Sequence, residues 1–287
     1  MLFYLIRKGH KEMRKLFLFL LVVLSATTLV ACGGQQPYDF DKEDTIIIGM
    51  EADYAPYNWS TSVSTDFTHP IHGRNDYADG YDVQIAKLIA AGLGKKLVIK
   101  AIGWDGLPPA VQSGQIHLLL AGMTPTPERS KTLLFSNEYY RAEPVIVLRK
   151  DSSFNGKNKT LNDFNGAKAV AQLGTIYEGL VEQLPGAVAQ TSLEDYTALL
   201  LAVKNKTTDI VIAELPVAES MVRFNEELTY IRFAAGEGFN IDTQLVIVSI
   251  GMTLNNTELK RRVDEILAGI SQAERERMMN AAIERQG

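Results

Sequence analysis

Short β-branched runs alternate with amphipathic segments along most of this chain, and this alternation constrains its fold more than any other feature. The run at 46–48 predicts a strand that ends at Gly49, and the segment 81–93 carries apolar residues at helical spacing up to Gly94. Further strands are predicted at 97–102, 116–121, 145–148, 169–171, 209–213 and 245–249, and helices at 105–113, 175–184, 193–204, 216–225, 257–270 and 273–283. Buried parallel strands that are joined by crossover helices predict an α/β fold.

The N-terminal segment predicts export. Arg14 and Lys15 precede an apolar run at 16–24, and mostly small or polar residues then lead to Cys32, the only cysteine in the sequence. A basic region, a short apolar region and a small-residue cleavage site make up a secretory signal. A membrane-spanning helix needs about 20 apolar residues, and this run is shorter. The segment resembles the lipobox of bacterial lipoproteins, which implies cleavage before Cys32 and diacylation of the new N-terminus.

This resemblance defines the first two parts of the chain. Residues 1–31 would be removed as a signal peptide, and the polar residues 32–44 would tether the folded part to a lipid. A buried thiol or a spanning anchor is the alternative for Cys32. Met13 would make a more usual start for the signal than Met1. We therefore expect an extracytoplasmic, lipid-anchored protein, on a Gram-positive surface or in a periplasm.

The net charge excludes several classes of partner. The predicted signal holds five of the 29 basic residues and one of the 34 acidic ones, so the mature chain has a net charge of −9. Such a surface repels nucleic acid and offers no basic patch for anionic lipids. No phosphate-binding loop of an ATPase is present. His69 and His72 fall short of a metal site, so we expect neither a metal nor another cofactor.

Polar and aromatic residues follow several of the predicted strands. They lie at 51–59, 103–106, 121–129, 172–175 and 213–216. In open α/β sheets, ligands bind beyond the carboxyl ends of the strands. The first amides of a helix at such a position can face an anion. These segments therefore predict a small-molecule site.

Together with the motif at 80–83, the order of these segments resembles the extracellular solute-binding proteins that deliver polar amino acids to ABC importers. The most specific stretch runs from Gly-Met-Thr-Pro-Thr-Pro-Glu-Arg at 122–129 to Phe-Ser-Asn-Glu-Tyr-Tyr at 135–140. The resemblance covers the chain from Thr45 to about Ile283. It implies a monomeric binding protein that is not an enzyme.

The resemblance also implies a two-lobed fold of the type II periplasmic-binding-protein kind. Each lobe would hold a mixed, mostly parallel sheet that is flanked by helices. Lobe 1 would comprise 45–141 and 238–287, and lobe 2 would comprise 142–237. Two hinge strands would join the lobes, which would close on the ligand.

Position by position, the resemblance implies roles for eleven cleft residues. Arg129 would bind the ligand's α-carboxylate, because a planar guanidinium matches a carboxylate bidentately. Glu214 would bind the α-ammonium, although many relatives have Asp there and Ser at Ala121. Tyr54 and Trp104 would enclose the side chain. The other predicted ligand-binding residues are Glu51, Ala121, Gly122, Thr124, Gln172, Thr175 and Ile176. The structural alternatives are a surface position for Arg129, a helix cap for Glu214 and core packing for the two aromatic residues.

Glu51 suggests the class of amino acid. Arg129 and Glu214 already match a zwitterion, so Glu51 is a surplus acid, at a position where family members that take lysine or arginine carry a carboxylate. Buried charges need partners, and aromatic walls stack well on a guanidinium or an alkyl-ammonium stem. We therefore expect arginine first and lysine or histidine next.

Three other functions stay open from the sequence. If Glu51 points to solvent, glutamine is the expected ligand. Some relatives on this scaffold are cyclohexadienyl dehydratases, which need a general acid at the leaving group. Glu51 or Glu214 could serve as that acid, but no nucleophile–base pair stands out. A surface adhesion or sensor domain is the third alternative.

Overall fold

A computed structural model describes residues 36–156, 159–242 and 244–286. The predicted signal peptide and Cys32 lie outside these residues. The strands are β1 (Thr45–Met50), β2 (Asp53–Tyr54), β3 (Asn58–Thr61), β4 (His69–Pro70), β5 (Tyr77–Asp79), β6 (Lys96–Ala101), β7 (Leu118–Leu119), β8 (Leu133–Arg141), β9 (Pro144–Arg149), β10 (Lys168–Val170), β11 (Val188–Ala189), β12 (Ile210–Glu214), β13 (Leu228–Ile231) and β14 (Ile247–Thr253). The α-helices are α1 (Tyr81–Leu93), α2 (Leu107–Gln112), α3 (Ile176–Leu180), α4 (Tyr196–Lys204), α5 (Leu215–Arg223), α6 (Thr257–Ala268) and α7 (Gln272–Arg285).

Two five-stranded sheets organise the described chain, and both have the same topology. The first has the order β6-β1-β7-β14-β8, and the second has the order β11-β10-β12-β9-β13. In the first sheet β14 pairs antiparallel with both neighbours, and in the second β9 does the same. The four other strands of each sheet therefore point in one direction. The predicted two-lobed α/β fold with mixed, mostly parallel sheets is confirmed.

The chain crosses between the sheets twice. It leaves the first sheet at the end of β8 and enters the second at β9, and it returns between β13 and β14. β9 is buried on both faces, since Val145 and Val147 pack in one apolar cluster while Ile146 and Leu148 pack in another. Successive side chains of a strand point to opposite faces, which explains the continuous apolar run.

A small antiparallel sheet of the order β2-β3-β5-β4 adjoins the first large sheet, and the sequence did not predict it. Its strands are two to four residues long and mostly polar, so they lack a clear period-two pattern. It leads directly into α1, whose first residue follows Gly80. A Cβ on Gly80 would lie 2.2 Å from the carbonyl oxygen of Tyr57, so only glycine lets the helix begin this close to the sheet.

The element boundaries differ from the prediction where local signals are weak. The predicted helix 105–113 begins as a 3₁₀ turn at Trp104–Gly106 and becomes α-helical at Leu107. The predicted strand 116–121 shortens to Leu118–Leu119, because the chain then turns into the cleft. β8 was not predicted, since polar residues at 136–138 interrupt its apolar pattern. None of the described helices combines the length and the apolar character that crossing a bilayer requires.

Candidate functional site

A cleft lies where the carboxyl ends of both large sheets meet. Glu51 follows β1, Trp104 follows β6 and Gln172 follows β10, while Glu214 is the last residue of β12. The cleft is lined by Tyr54, Trp104, Ala121, Gly122, Thr124, Arg129, Gln172, Thr175, Ile176, Tyr177 and Tyr196. Nine of the eleven residues predicted from sequence are therefore brought together here, and the other two, Glu51 and Glu214, contact residues of this lining.

Arg129 presents a guanidinium group to the cleft. Its Nη1 donates to the carbonyl oxygen of Thr124 at 2.9 Å, and its Nη2 donates to that of Gly174 at 3.1 Å. Its guanidinium carbon lies 5.2 Å from the centroid of the Trp104 ring. Within the described residues no carboxylate forms an ion pair with it, and burial lowers the pKa of Arg129 to about 10. The group retains its positive charge at neutral pH and remains free to bind an anion.

Glu214 is a buried carboxyl group that is only partly satisfied by hydrogen bonds. Its Oε2 accepts from the Tyr57 hydroxyl at 3.2 Å and from the Tyr177 hydroxyl at 3.3 Å. Among the described residues, its Oε1 has no hydrogen-bond partner. Burial, and secondarily the charge of Glu51, raises the pKa of Glu214 well above its usual value. A cation at this carboxyl group would offset the cost of its burial.

Glu51 is a second buried carboxyl group, and it is 7% exposed. Its Oε1 accepts a 2.8 Å hydrogen bond from Nε2 of Gln172, whereas its Oε2 has no partner in the described part of the chain. Burial, with the charge of Asp53 next, raises the pKa of Glu51 to about 8. The hydrogen bond from Gln172 acts in the opposite direction. The side chain does not point to solvent, which was the condition of the glutamine alternative.

Glu51 also lines an adjoining acidic pocket, which shares Trp104 with the cleft. The other acidic residues of that pocket are Asp53, Asp105, Glu194 and Asp195. Burial, and then the charge of Asp195, raises the pKa of Asp53 to about 6. Five carboxyl groups therefore lie on this side of the cleft, and their ionised forms favour cations over anions.

Stacked aromatic rings form one wall of the cleft. The ring of Tyr54 lies 4.9 Å from that of Tyr57 at an interplanar angle of 7°, and 5.1 Å from that of Tyr196 at 27°. Gly122 packs directly on Tyr54, because a Cβ there would lie 2.6 Å from Cε1 of the tyrosine. Gly122 also has a φ of 61°, which disfavours any residue with a side chain.

Sequence reasoning missed three tyrosines of this site. Tyr57 and Tyr177 donate to Glu214, and Tyr177 and Tyr196 line the cleft. Tyr57 lies inside the motif that predicted Tyr54, and Tyr177 follows the predicted Thr175-Ile176 pair. The sequence signal for Tyr196 is weaker, because this tyrosine directly follows the helix cap Asp195 and is not next to a predicted ligand-binding residue. Among the described residues, no group of three or more His, Cys, Asp or Glu is arranged to hold a metal ion.

Several amino-acid-binding proteins are similar to this chain in sequence. The arginine-binding extracellular protein ArtP of Bacillus subtilis is 31% identical over 218 residues, which cover 75% of this chain and 79% of ArtP. A probable histidine-binding protein of Campylobacter jejuni is 27% identical over 235 residues, which cover 79% of this chain and 85% of that protein. The L-cystine-binding protein TcyJ of Escherichia coli is 24% identical over 225 residues, which cover 78% of this chain and 76% of TcyJ.

Solved structures of amino-acid-binding proteins are also similar to this chain in fold. An amino acid ABC transporter substrate-binding protein of Streptococcus pneumoniae, crystallised with L-arginine, matches with a TM-score of 0.70 at 26% identity, covering 84% of this chain and 95% of that one. The family model of the bacterial extracellular solute-binding proteins, family 3, matches residues 46–281. This match spans most of the chain and contains every predicted ligand-binding residue. The chain therefore belongs to the bacterial extracellular solute-binding proteins, family 3.

Proposed function

We propose that this protein captures a basic amino acid outside the membrane, arginine ahead of lysine and histidine, and delivers it to an ABC importer. The observation that carries the proposal is the free Oε2 of Glu51, a buried carboxylate oxygen without a partner among the described residues. A cationic side chain of the ligand supplies that partner. The names of the arginine-binding and histidine-binding relatives support the same class of ligand.

The charges of the cleft favour a ligand with two positive groups and one negative group. Arg129 meets the α-carboxylate, and Thr124, Thr175 and Ile176 lie beside it on the cleft wall. Glu214 meets the α-ammonium near Ala121 and Gly122. A neutral side chain would leave the ionised form of Glu51 buried without a counter-charge, and the cost of that desolvation is the main reason that its pKa is raised to about 8. An arginine or lysine side chain reduces the cost by ion pairing.

The aromatic residues suit the stem of such a ligand. Tyr54 and Trp104 both line the cleft, and Trp104 lies beside the Arg129 guanidinium. Aromatic rings attract guanidinium and ammonium groups through their π faces. Gln172, which is 2% exposed and hydrogen-bonded to Glu51, would orient that carboxylate toward the ligand's distal cation.

The two sheets provide the lobes of this binding protein. We assign 45–141 and 238–287 to lobe 1 and 142–237 to lobe 2, since the chain crosses between the sheets after β8 and before β14. The protein acts as a monomer that is anchored through a lipid on Cys32 and contacts the permease of its importer. The relatives are named as binding proteins, one of them as an ABC transporter arginine-binding protein, which supports capture and not catalysis.

A thermal-shift screen of the twenty amino acids tests the proposed ligand class. A ligand at about a hundred times its dissociation constant stabilises a protein by about 2.7 kcal/mol. We expect the largest shift with arginine and smaller shifts with lysine and histidine. A largest shift with glutamine or with an acidic amino acid would contradict the basic-ligand proposal. Turnover of arogenate by the purified protein would instead support the dehydratase alternative.

A further inference from the structure

A buried hydrogen-bond network connects the two loops of lobe 1 that border the cleft. Asp82, in the first turn of α1, is fully buried. Its Oδ2 accepts from Asn58 Nδ2 at 2.7 Å, and its Oδ1 accepts from the Tyr139 hydroxyl at 2.8 Å. Asn58 and Tyr139 are themselves 0% exposed. The network is therefore shielded from water at its centre.

Each branch of the network ends on a backbone N–H of a cleft loop. Oδ1 of Asn58 accepts from the N–H of Ala52 at 2.7 Å, and the hydroxyl of Tyr139 accepts from the N–H of Gly122 at 3.1 Å. Ala52 directly follows Glu51 and has a φ of 63°, and Gly122 has a φ of 61°. A left-handed conformation is unfavourable for alanine, so the loop at Ala52 needs such support.

We propose that Asp82 is a positioning residue that fixes the distance between Glu51 and Gly122. In the proposed function, Glu51 meets the distal cation of the ligand and Gly122 lies near its α-ammonium. The direction of the expected selectivity rests on that proposed function. Asp82 does not line the cleft, and neither do Asn58 and Tyr139, to which its carboxyl group is hydrogen-bonded. Through Asn58 it supports the loop that carries Glu51, and through Tyr139 it supports the loop that carries Gly122.

The energetics of Asp82 support a role beyond packing. Within the described residues Asp82 forms no ion pair, although it is fully buried in its lobe. Burial raises the pKa of Asp82 to about 7, while the hydrogen bonds from Tyr139 and Asn58 lower it. A well-packed apolar residue usually costs less than a buried carboxyl group. The carboxyl group brings two acceptors that hold two loops at once, which an apolar residue cannot do.

Two single-branch variants test the proposal. Asn58→Leu keeps the volume but removes the acceptor of the Ala52 N–H, and Tyr139→Phe keeps the ring but removes that of the Gly122 N–H. We expect Asn58→Leu to lower the affinity for arginine roughly tenfold more than that for citrulline, its neutral analogue. We expect Tyr139→Phe to lower both affinities by the same factor. Asp82→Asn should affect both ligands, arginine more strongly.

Asn256→Leu is the matched control. Asn256 is buried in the same lobe at 5% exposure, and it bonds the N–H of Tyr38 and the hydroxyl of Thr253, away from the cleft. It should lower the thermal midpoint and leave the ratio of the arginine and citrulline affinities unchanged. If Asn58→Leu leaves that ratio unchanged as well, the network is merely structural and the proposal fails.

Amide hydrogen exchange gives a readout that does not depend on the identity of the ligand. Tyr139→Phe should accelerate exchange at Gly122 and not at Ala52, and Asn58→Leu should do the reverse. Asp82→Asn should accelerate both. Uniform acceleration across lobe 1 in every variant would overturn the positioning role. If the wild type binds no basic amino acid while exchange follows this pattern, the proposed ligand class fails and the positioning of the loops stands.

Discussion

Gln172 Nε2 donates a 2.8 Å hydrogen bond to Oε1 of Glu51 and so joins the loop after β10 to the loop after β1. The same amide donates to the carbonyl oxygen of Glu194 at 3.0 Å. Only Oε1 of Glu51 is used, and within the described residues Oε2 is left without a partner. The hydrogen bond from Gln172 therefore holds the Glu51 carboxyl group between the two sheets and leaves its Oε2 for a cation.

Glu51→Gln should convert a site for a cation into one for a neutral side chain. The substitution keeps the size and one acceptor but removes the negative charge. A charge-assisted hydrogen bond is worth roughly 1.5–3 kcal/mol, which corresponds to about ten- to a hundredfold in affinity. We expect arginine binding to fall by that factor and citrulline or glutamine binding to change little or improve. Calorimetric titration of wild type and variant with these ligands measures both effects.

Glu226→Gln, at an exposed position outside the cleft, is the control for this substitution and should bind like the wild type. An equal loss of all ligands in Glu51→Gln would contradict the role of the charge, as would a wild type that prefers glutamine.

Arg129→Ala should weaken every amino acid ligand alike, because all share the α-carboxylate. Removing one partner of a buried charge pair costs roughly 2–5 kcal/mol. Arg129→Lys should restore only part of the affinity, since lysine lacks the planar fork that reaches Thr124, Gly174 and the ligand together. Lys131→Ala, at an exposed residue paired with Glu128, is the control. A loss for some amino acids and not others would argue against an α-carboxylate site.

The affinity for arginine should rise with pH below about 8. Arginine pairs with ionised Glu51, and the pKa of this residue is raised to about 8, mainly by burial. The ionised fraction therefore grows up to tenfold per pH unit between pH 6 and pH 8, and arginine binding releases a proton there. Glu214 contributes equally to arginine and citrulline, so the ratio of their affinities isolates Glu51. A ratio that does not change with pH, or one that changes equally in Glu51→Gln, would refute this dependence.

The stability of the ligand-free protein should depend on pH in the opposite sense. The pKa of Glu51 is higher in the folded chain, at about 8, than its ordinary value of 4.5, mainly because of burial. Between these values the folded state binds more protons than the unfolded state, so the free energy of unfolding falls as pH rises. Asp82 adds to this fall, because burial raises its pKa from 3.8 to about 7. Denaturant unfolding at pH 5 and pH 8 measures the difference, which should be smaller in Glu51→Gln.

Gly122→Ala should impair binding by displacing the aromatic wall. The added Cβ would lie 2.6 Å from Cε1 of Tyr54 at a position whose φ is 61°. We expect a loss of more than about 1 kcal/mol in stability and weaker binding of all ligands. Gly94→Ala is a matched control, since its φ is 65° but its Cβ would meet nothing within 4 Å. If both variants bind equally well, the clash with Tyr54 has no functional consequence.

Cys32→Ala should release the protein from the membrane or leave its signal uncut. The lone cysteine follows the predicted signal peptide and is the expected site of lipidation. Fractionation of cells that express wild type and variant measures attachment, and a globomycin-type block of lipoprotein processing should give a similar outcome. Identical fractionation and processing of both proteins would remove the lipid anchor from the proposal.

Local patterns in the sequence determined the class of the fold, and the family resemblance that its motifs carry implied most of the cleft residues. The alternation of strands and helices records which faces are buried, so it predicted the α/β class and the main strands. Glu51, Arg129 and Glu214 lie near predicted strand or helix ends, and the resemblance of the surrounding segments to the solute-binding family implied their roles. These are features of a few consecutive residues, and burial periodicity and helix capping act over that range.

The tertiary structure alone decided how those residues are paired. Tyr57 reaches Glu214 across 157 positions of the chain, and Gln172 reaches Glu51 across 121. The same holds for the antiparallel entry of β9 and β14 into otherwise parallel sheets, which depends on where the chain crosses between them. No local pattern encodes such contacts or strand directions, because they depend on how distant segments of the chain pack together. The partners of each buried charge, and thus the chemistry of the cleft, follow from that packing.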